Sequence, residues 1–207
     1  MAWEIFHWNI SGLKCKRSPN YNDKLDSISS ILENVHSTFL LNIQETHISS
    51  DKDLPNIIRL YDHIYSYVIT NSSENDPYSG IMLCIRKTEN LVEQEALEKG
   101  RLIYAKIQNK ASNKITNIFS IYCNSSNSEK QKILINKMKS KILLENLEDC
   151  IIIGDFNFVT NIMDRNSQNL NRVDLETMKI WDPFEVEACL QDCFRLTSPN
   201  RRLYTYN

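Results

Sequence analysis

Glycine is scarce in this chain of 207 residues: there are four, Gly12, Gly80, Gly100 and Gly154, and each stands at the edge of an apolar run. So few glycines mark required backbone geometry rather than filler. An excess of charge is also lacking, with 24 basic against 26 acidic side chains and a net of −2. That balance speaks against a protein that coats nucleic acid non-specifically, though not against an enzyme directed to one site on it. No window holds eighteen consecutive apolar residues, which excludes a membrane-spanning helix. The stretch MAWEIFHWNISG lacks a basic segment and interrupts its apolar run with polar residues, so it does not read as a signal peptide. The six cysteines are dispersed, with none of the spacing of a small secreted disulfide framework, and the expected compartment is reducing. Cys84, Cys123 and Cys150 sit in or beside apolar runs, where a thiol acts as a small hydrophobe. Cys189 and Cys193, four apart, have no second pair or nearby histidine to complete a zinc site and are read as structural, on a shared helix face. Repeats and low-complexity linkers are absent, so one domain spanning 1–207 is expected.

What is present is a hydrophobic content of 42%, enough for a core, arranged as strands alternating irregularly with helices. Ala2–Ile10 alternates like a strand and is apolar on both faces, which predicts a central, buried position. Asp23 caps a helix running to about Asn34, with Leu25, Ile28, Leu32 and Val35 at helical spacing. Thr38–Glu45 returns as a strand, so the two strands of this crossover unit run parallel and end on the same sheet edge. A short helix is expected in Asp51–Leu60 and strands at Tyr61–Thr70 and Gly80–Arg86, while Leu91–Gly100 is ambiguous. Leu102–Gln108 and Ile115–Tyr122 form an antiparallel hairpin. Glu129–Leu147 is a helix whose lysines form a solvated face. Helices are expected at Leu175–Ile180 and Phe184–Cys193, separated by Trp181-Asp182-Pro183. Leu203–Tyr206 reads as a strand behind the basic cluster Arg195, Arg201 and Arg202. The pattern is that of a four-layered α/β sandwich, two mixed β-sheets flanked by helices.

The chain is organised around Ile151–Asn157, IIIGDFN. Three β-branched residues make a buried strand core, and alternation sends Asp155 and Asn157 to one side and Phe156 to the other. Taken alone, a Gly-Asp turn after a strand is a common feature. Three other strand ends change its meaning, because Asn9, Glu45 and Tyr122 are expected to collect with Asp155 and Asn157 at one cleft. Glu45 is a hard oxygen ligand suited to Mg²⁺ or Mn²⁺, and Asn9 can orient that ligand or touch the phosphate. Asp155 can align or deprotonate a water, and Asn157 and the Tyr122 hydroxyl can hold phosphate oxygens as charge develops on them. No thiol or serine stands in a nucleophile setting, so direct attack by water on a phosphodiester is the economical chemistry. His7, on an apolar strand, reads as a satisfied core residue, and Trp3, Trp8 and Trp181 as packing residues. Asp164-Arg165 reads equally as a local salt bridge or a contact to DNA phosphate.

WNISGL at the start, QETH at Gln44–His47, IYCN at Ile121–Asn124 and GDFN at Gly154–Asn157 resemble, in order and spacing, the successive motifs of the endonuclease/exonuclease/phosphatase superfamily. Within it, GRLIYAKI at Gly100–Ile107, MDR at Met163–Arg165 and the late Arg-rich LYTY segment are similar to the apurinic-type endonuclease domain of non-LTR (LINE-type) retrotransposons. That resemblance implies a Mg²⁺ ion, with Mn²⁺ as a substitute, held by Glu45 and Asn9, with Asp155, Asn157 and Tyr122 catalytic. It also implies substrate contacts from His47, Asn124, Arg165 and Thr205. The implied reaction nicks DNA to leave a 3′-hydroxyl that primes reverse transcription. The same fold on an abasic-site, RNA or inositol-phosphate substrate, or a truncated inactive remnant, is the alternative. The implied context is an intracellular, monomeric domain without a membrane partner, part of a longer polyprotein with reverse transcriptase and nuclear when acting. The sequence departs from the pattern twice. Asn124 stands where the family has proline and Ser125 where it has asparagine, and no Asp-His motif follows the Thr-Tyr pair. The domain is therefore expected to lack its last strands.

Overall fold

The computed structural model describes residues 4–13, 20–34, 39–50, 53–72, 75–165 and 169–201. Thr205 and the LYTY segment lie outside the described residues, as do Trp3, Cys15, Val35 and His36. The chain forms two compact units, Met1–Tyr122 with Glu148–Asp155, and Cys123–Leu147 with Phe156–Asn207.

The first unit holds both β-sheets. One contains β1 (Glu4–Asn9), β2 (Phe39–Gln44), β3 (Tyr65–Thr70) and β4 (Ile81–Arg86), in the order β1-β2-β4-β3. The helices α1 (Tyr21–Asn34) and α2 (Asn56–Arg59) belong with it. The other contains β5 (Glu89–Glu98), β6 (Leu102–Asn109), β7 (Ile115–Tyr122) and β8 (Cys150–Asp155), in chain order. Each sheet is mixed, with one parallel pair: β1 with β2, and β7 with β8. The remaining neighbours are antiparallel. The predicted crossover and hairpin are both present.

Alternation gives each strand of the first sheet two faces. Leu41, Ile43, Met82, Cys84 and Tyr65 meet Ile28 and Leu32 of α1 and Ile58 of α2 in one core. Leu40, Val68, Ile81, Leu83 and Ile85 point the other way and pack against Ile103, Ala105, Ile107 and Ile118 of the second sheet. Polar side chains are bonded within this sandwich. Asn42, fully buried, pairs with His7 Nδ1 at 3.0 Å and accepts from Ser120 Oγ at 2.7 Å, joining β1, β2 and β7.

In the second unit, α3 (Ser128–Leu144) is capped by Asn127, whose side chain accepts from the Lys130 N–H. Leu134, Ile135, Met138 and Ile142 form its buried stripe. Its lysines are largely tied up in ion pairs, Lys132 with Glu129 and Glu176, Lys139 with Glu187, and Lys141 with Glu145. A single 3₁₀ turn, Ile162–Asp164, leads to α4 (Arg172–Glu187) and α5 (Cys193–Thr197). Asn171 and Asp174 close a reciprocal capping box at the start of α4.

Three expectations are corrected, and the ambiguous stretch Leu91–Gly100 is resolved. Among the described residues strand β1 has β2 as its one neighbour and stands at the sheet edge, with Glu4–His7 exposed, instead of at the centre. The Leu91–Gly100 region is strand β5, with register shifts at Leu91/Glu93 and Ala96/Glu98 that hide its pattern. Pro183 lies inside α4 and does not divide it. A proline inside a helix costs about 3 kcal/mol, and here Trp181 stacks edge-on against Phe156, Phe158 and the fully buried Phe184, which holds the helix together. Finally, Cys189 follows α4 at φ 51° and Cys193 opens α5, so the two share no helix face, and both are exposed.

Candidate active site

The parallel pairs explain where the polar side chains gather. In register, Asn9 ends β1 beside Gln44, and Tyr122 ends β7 beside Asp155. Both pairs therefore stop at their C-terminal ends with polar side chains, and these meet across the sandwich. Asn9 Nδ2 donates to Glu45 Oε1 at 2.8 Å and to Asp155 Oδ2 at 3.3 Å. The Tyr122 hydroxyl donates to Glu45 Oε1 at 2.5 Å, and Ser11 Oγ to Glu45 Oε2 at 3.4 Å. The orientation of the Asn9 amide is fixed by its oxygen, which accepts from the Ser11 N–H at 3.3 Å.

Glu45 is the residue just past β2, and its φ of 54° lies in the left-handed region that a glutamate avoids. Backbone bonds on both sides hold it there. The Gly12 N–H donates to its carbonyl at 2.6 Å, the Leu13 N–H to Thr46 at 2.8 Å, and the Thr46 and His47 N–H groups to Gly80 and Ser79. Gly12 itself has a φ of 96°, and a Cβ on it would stand 2.7 Å from His47 Nδ1. The glycine and the histidine are thus fitted to one another. Lys24 of α1 reaches the same loop, donating to the Ser11 and Gly12 carbonyls at 3.1 and 3.4 Å.

Electrostatics set the state of two groups. Burial, and then the hydrogen bond to Glu45, push the Tyr122 phenol well above its ordinary pKa, so it is a neutral donor at any physiological pH. The Arg101 guanidinium lies 4.2 Å over the Tyr122 ring while pairing with Asp76. Burial lowers the pKa of His47, and the Glu45 carboxylate pulls it the other way. Its Nε2 is buried and meets no hydrogen-bond partner among the described residues, while its ring stands edge-on to Tyr78.

Of the expected site residues, the structure brings Asn9, Glu45, Tyr122 and Asp155 into one hydrogen-bonded cluster in the first unit. His47 stands beside it on the same loop. Asn124, Asn157 and Arg165 belong to the second unit. Asn157, at φ 51°, donates to the Cys123 carbonyl at 2.9 Å. The Asn124 side chain accepts from the Ser126 N–H in a local turn. Arg165 makes a forked contact with the fully buried Asp174, at 2.8 and 2.6 Å, and Asp164 pairs with Arg195. Sequence reasoning passed over Gln44, Ser11, Lys24 and Arg101. Gln44 had a signal, a polar residue closing an apolar strand, but nothing in the pattern says what it meets.

The donor set suits a hard divalent cation. Two carboxylates share one neutral amide, an arrangement whose mutual repulsion a cation would relieve. Among the described residues no three His, Cys, Asp or Glu side chains converge on a metal position. An ion here would therefore keep several waters, which is the habit of Mg²⁺ rather than of zinc.

No protein-family model matches the sequence, and no curated protein matches it. Solved structures do. The AP endonuclease of Leishmania major superposes with a TM-score of 0.70 at 15% identity, over 94% of this chain and 69% of that one. A mannosyl-6-phosphatase of Bacteroides thetaiotaomicron gives 0.60 at 12%, over 84% and 69%. An endonuclease/exonuclease/phosphatase family protein from the same organism gives 0.57 at 12%, over 74% and 62%. The chain spans about two thirds of the length of the structures it matches, between 62% and 69% for these three. The two mixed β-sheets and their superposition on these neighbours give this chain the fold of the endonuclease/exonuclease/phosphatase proteins.

Proposed function

We propose that this chain is a divalent-metal-dependent phosphodiesterase that nicks DNA and leaves a 3′-hydroxyl, as the endonuclease domain of a non-LTR retrotransposon does. The observation that carries the reading is the cluster of Glu45 and Asp155 on a single Asn9 amide, with the neutral Tyr122 hydroxyl beside them. DNA is favoured by the four ordered sequence motifs and by the AP endonuclease among the structural neighbours. The narrower retrotransposon reading rests on GRLIYAKI and MDR.

Glu45 would hold Mg²⁺, with Asn9 fixing its carboxylate. When bound, the ion supplies Lewis-acid polarisation of a phosphoryl oxygen and neutralises developing charge. Asp155 orients a water and accepts its proton as the water oxygen bonds to phosphorus. The bond from phosphorus to the 3′-oxygen breaks, and that oxygen leaves as a hydroxyl after taking a proton from solvent, with the phosphate remaining on the 5′ side. Tyr122 donates toward the phosphate and keeps its proton, as its raised pKa requires.

Supercoiled plasmid with Mg²⁺ is the test. Open circles are expected from the wild-type chain, suppressed by EDTA and reduced on the order of 10²–10⁴-fold by Asp155→Asn. Absence of nicking, or nicking indifferent to Glu45→Ala and Asp155→Asn, overturns the reading. Release of inorganic phosphate from phosphomonoesters without nicking would move the chain to the phosphatases of this fold.

A further inference from the structure

Gln44 is fully buried at the end of β2, on the side that faces the second sheet, and its amide makes two bonds to backbone there. Its Oε1 accepts from the Asp155 N–H at 2.8 Å, and its Nε2 donates to the Ile121 carbonyl at 2.6 Å. One bond reaches β8 and the other β7, at the last rungs of their parallel ladder. A primary amide offers one acceptor and one donor side by side, as a peptide unit does, so Gln44 serves as a foreign rung that closes the ladder's end.

Gly154 makes room for it. Its φ is 145°, and a Cβ there would stand 1.9 Å from the Ile121 oxygen and 2.7 Å from Gln44 Nε2. The glycine preceding Asp155 is therefore required by the approach of the Gln44 amide as well as by its own backbone angle.

Gln44 is also bonded covalently to Glu45. From these contacts we infer that Gln44 is the positioning residue of this site, fixing Asp155 relative to Glu45 across the two sheets. Glu45 follows it in the chain, and Asp155 hangs from its side chain. Neither carboxylate then shifts without the other. Glutamate retains the acceptor for the Asp155 N–H but sets an oxygen against the Ile121 carbonyl, and methionine matches the size but removes both bonds. The positioning itself is a matter of geometry, and only its kinetic consequence rests on the proposed function.

The test uses the full chain with Gln44→Met and Gln44→Glu, read by amide hydrogen exchange and by plasmid nicking. Exchange at the Asp155 amide is expected to quicken about tenfold or more in Gln44→Met, while amides of Leu83 and Phe119 in the middle of the sheets keep their protection. Gln44→Glu, which retains that acceptor, is expected to change Asp155 exchange less than Gln44→Met does. Nicking is expected to lose on the order of 10–100-fold in kcat in both variants, at unchanged KM and unchanged Mg²⁺ dependence. Unaltered Asp155 exchange in Gln44→Met overturns the inference. So does a uniform loss of protection at Asp155, Leu83 and Phe119, which marks a merely structural residue. If Gln44→Met does not fold, Gln44→Glu decides by whether kcat falls alone. A wild-type chain that does not nick refutes the proposed function, and the exchange comparison still decides the role of Gln44.

Discussion

Asn9 is the sharpest place to probe the site, because substitutions there act before any substrate is present. Its amide donates to two carboxylates, at 2.8 and 3.3 Å. Hydrogen bonds to charged groups contribute about 1.5–3 kcal/mol each when buried, and access of water to this half-buried cluster lowers the pair to about 2 kcal/mol in total. For a chain of this length, about 2–4 °C of melting temperature corresponds to 1 kcal/mol, so Asn9→Ala is expected to melt about 4–8 °C below wild type in EDTA. Asn9→Asp removes the same two donors and adds a third carboxylate. Two unit charges ~4 Å apart interact by about 4 kcal/mol at an effective dielectric constant of ~20, which solvent reduces here to on the order of 2 kcal/mol. Asn9→Asp should therefore melt below Asn9→Ala in EDTA. Mg²⁺ reverses the order, because a cation gains a third hard ligand. A ligand at a hundred times its Kd stabilises by about 2.7 kcal/mol, and the shift on adding Mg²⁺ should be largest in Asn9→Asp and smallest in Asn9→Ala. Differential scanning calorimetry with EDTA or excess MgCl₂ reads all three. Equal melting of the two variants in EDTA, together with equal responses to Mg²⁺, would refute the reasoning that opposed carboxylates define this site.

Other parts of the chain yield separate expectations. Asp174 is fully buried and accepts from Arg165 and from the Val159 and Asn171 N–H groups. Asp174→Ala is expected to cost about 3–5 kcal/mol by leaving those donors unpaired, seen as early exchange along α4, and an α4 as protected as in wild type would contradict it. Leu83→Ala, in the fully buried core between the sheets, is expected to destabilise by about 2–5 kcal/mol in urea titrations. Burial raises the Cys150 thiol to about 11, so in the native protein its alkylation should be slow at pH 8 and quicken as pH rises toward that value, since only the thiolate reacts. The exposed Cys189 and Cys193 should react at pH 8, and the buried Cys84 and Cys123 only after unfolding, as mass spectrometry of the labelled peptides would record.

Alternation made much of the site legible in the sequence. It fixes which side chains at a strand end point together, and so Asn9, Tyr122 and Asp155 could be set at one edge before any fold was known. The crossover between β1 and β2 was legible for the same reason, since a parallel pair must present both C-terminal ends together. What pairs across space was not. Gln44 reads as a polar residue in an apolar strand, and its two partners lie 77 and 111 residues away. Asp164 and Arg165 are neighbours in sequence, yet Asp164 pairs with Arg195, 31 residues on, and Arg165 with Asp174, and the dipeptide names neither partner. Strand β1 misleads through composition. Its apolar faces suggest a centre, and among the described residues it lies at an edge with Ile5 and Phe6 36% and 38% exposed.

The strain at Glu45 bears on how a cation would enter. A non-glycine residue in the left-handed region costs about 1–2 kcal/mol, and such costs persist where the surroundings over-determine the backbone. Here Gly12, Leu13, Ser79 and Gly80 hold the loop on both flanks. On the opposite sheet Gly154 and Gln44 hold the tip of β8 as firmly. Two carboxylates that repel each other are thus kept together by backbone, amide and hydroxyl hydrogen bonds. A cation that arrives has nothing left to organise, so its binding energy is not spent on folding, unlike that of a structural zinc. On the proposed function the same rigidity would favour catalysis, because groups already aimed at developing charge need no rearrangement as a reaction proceeds.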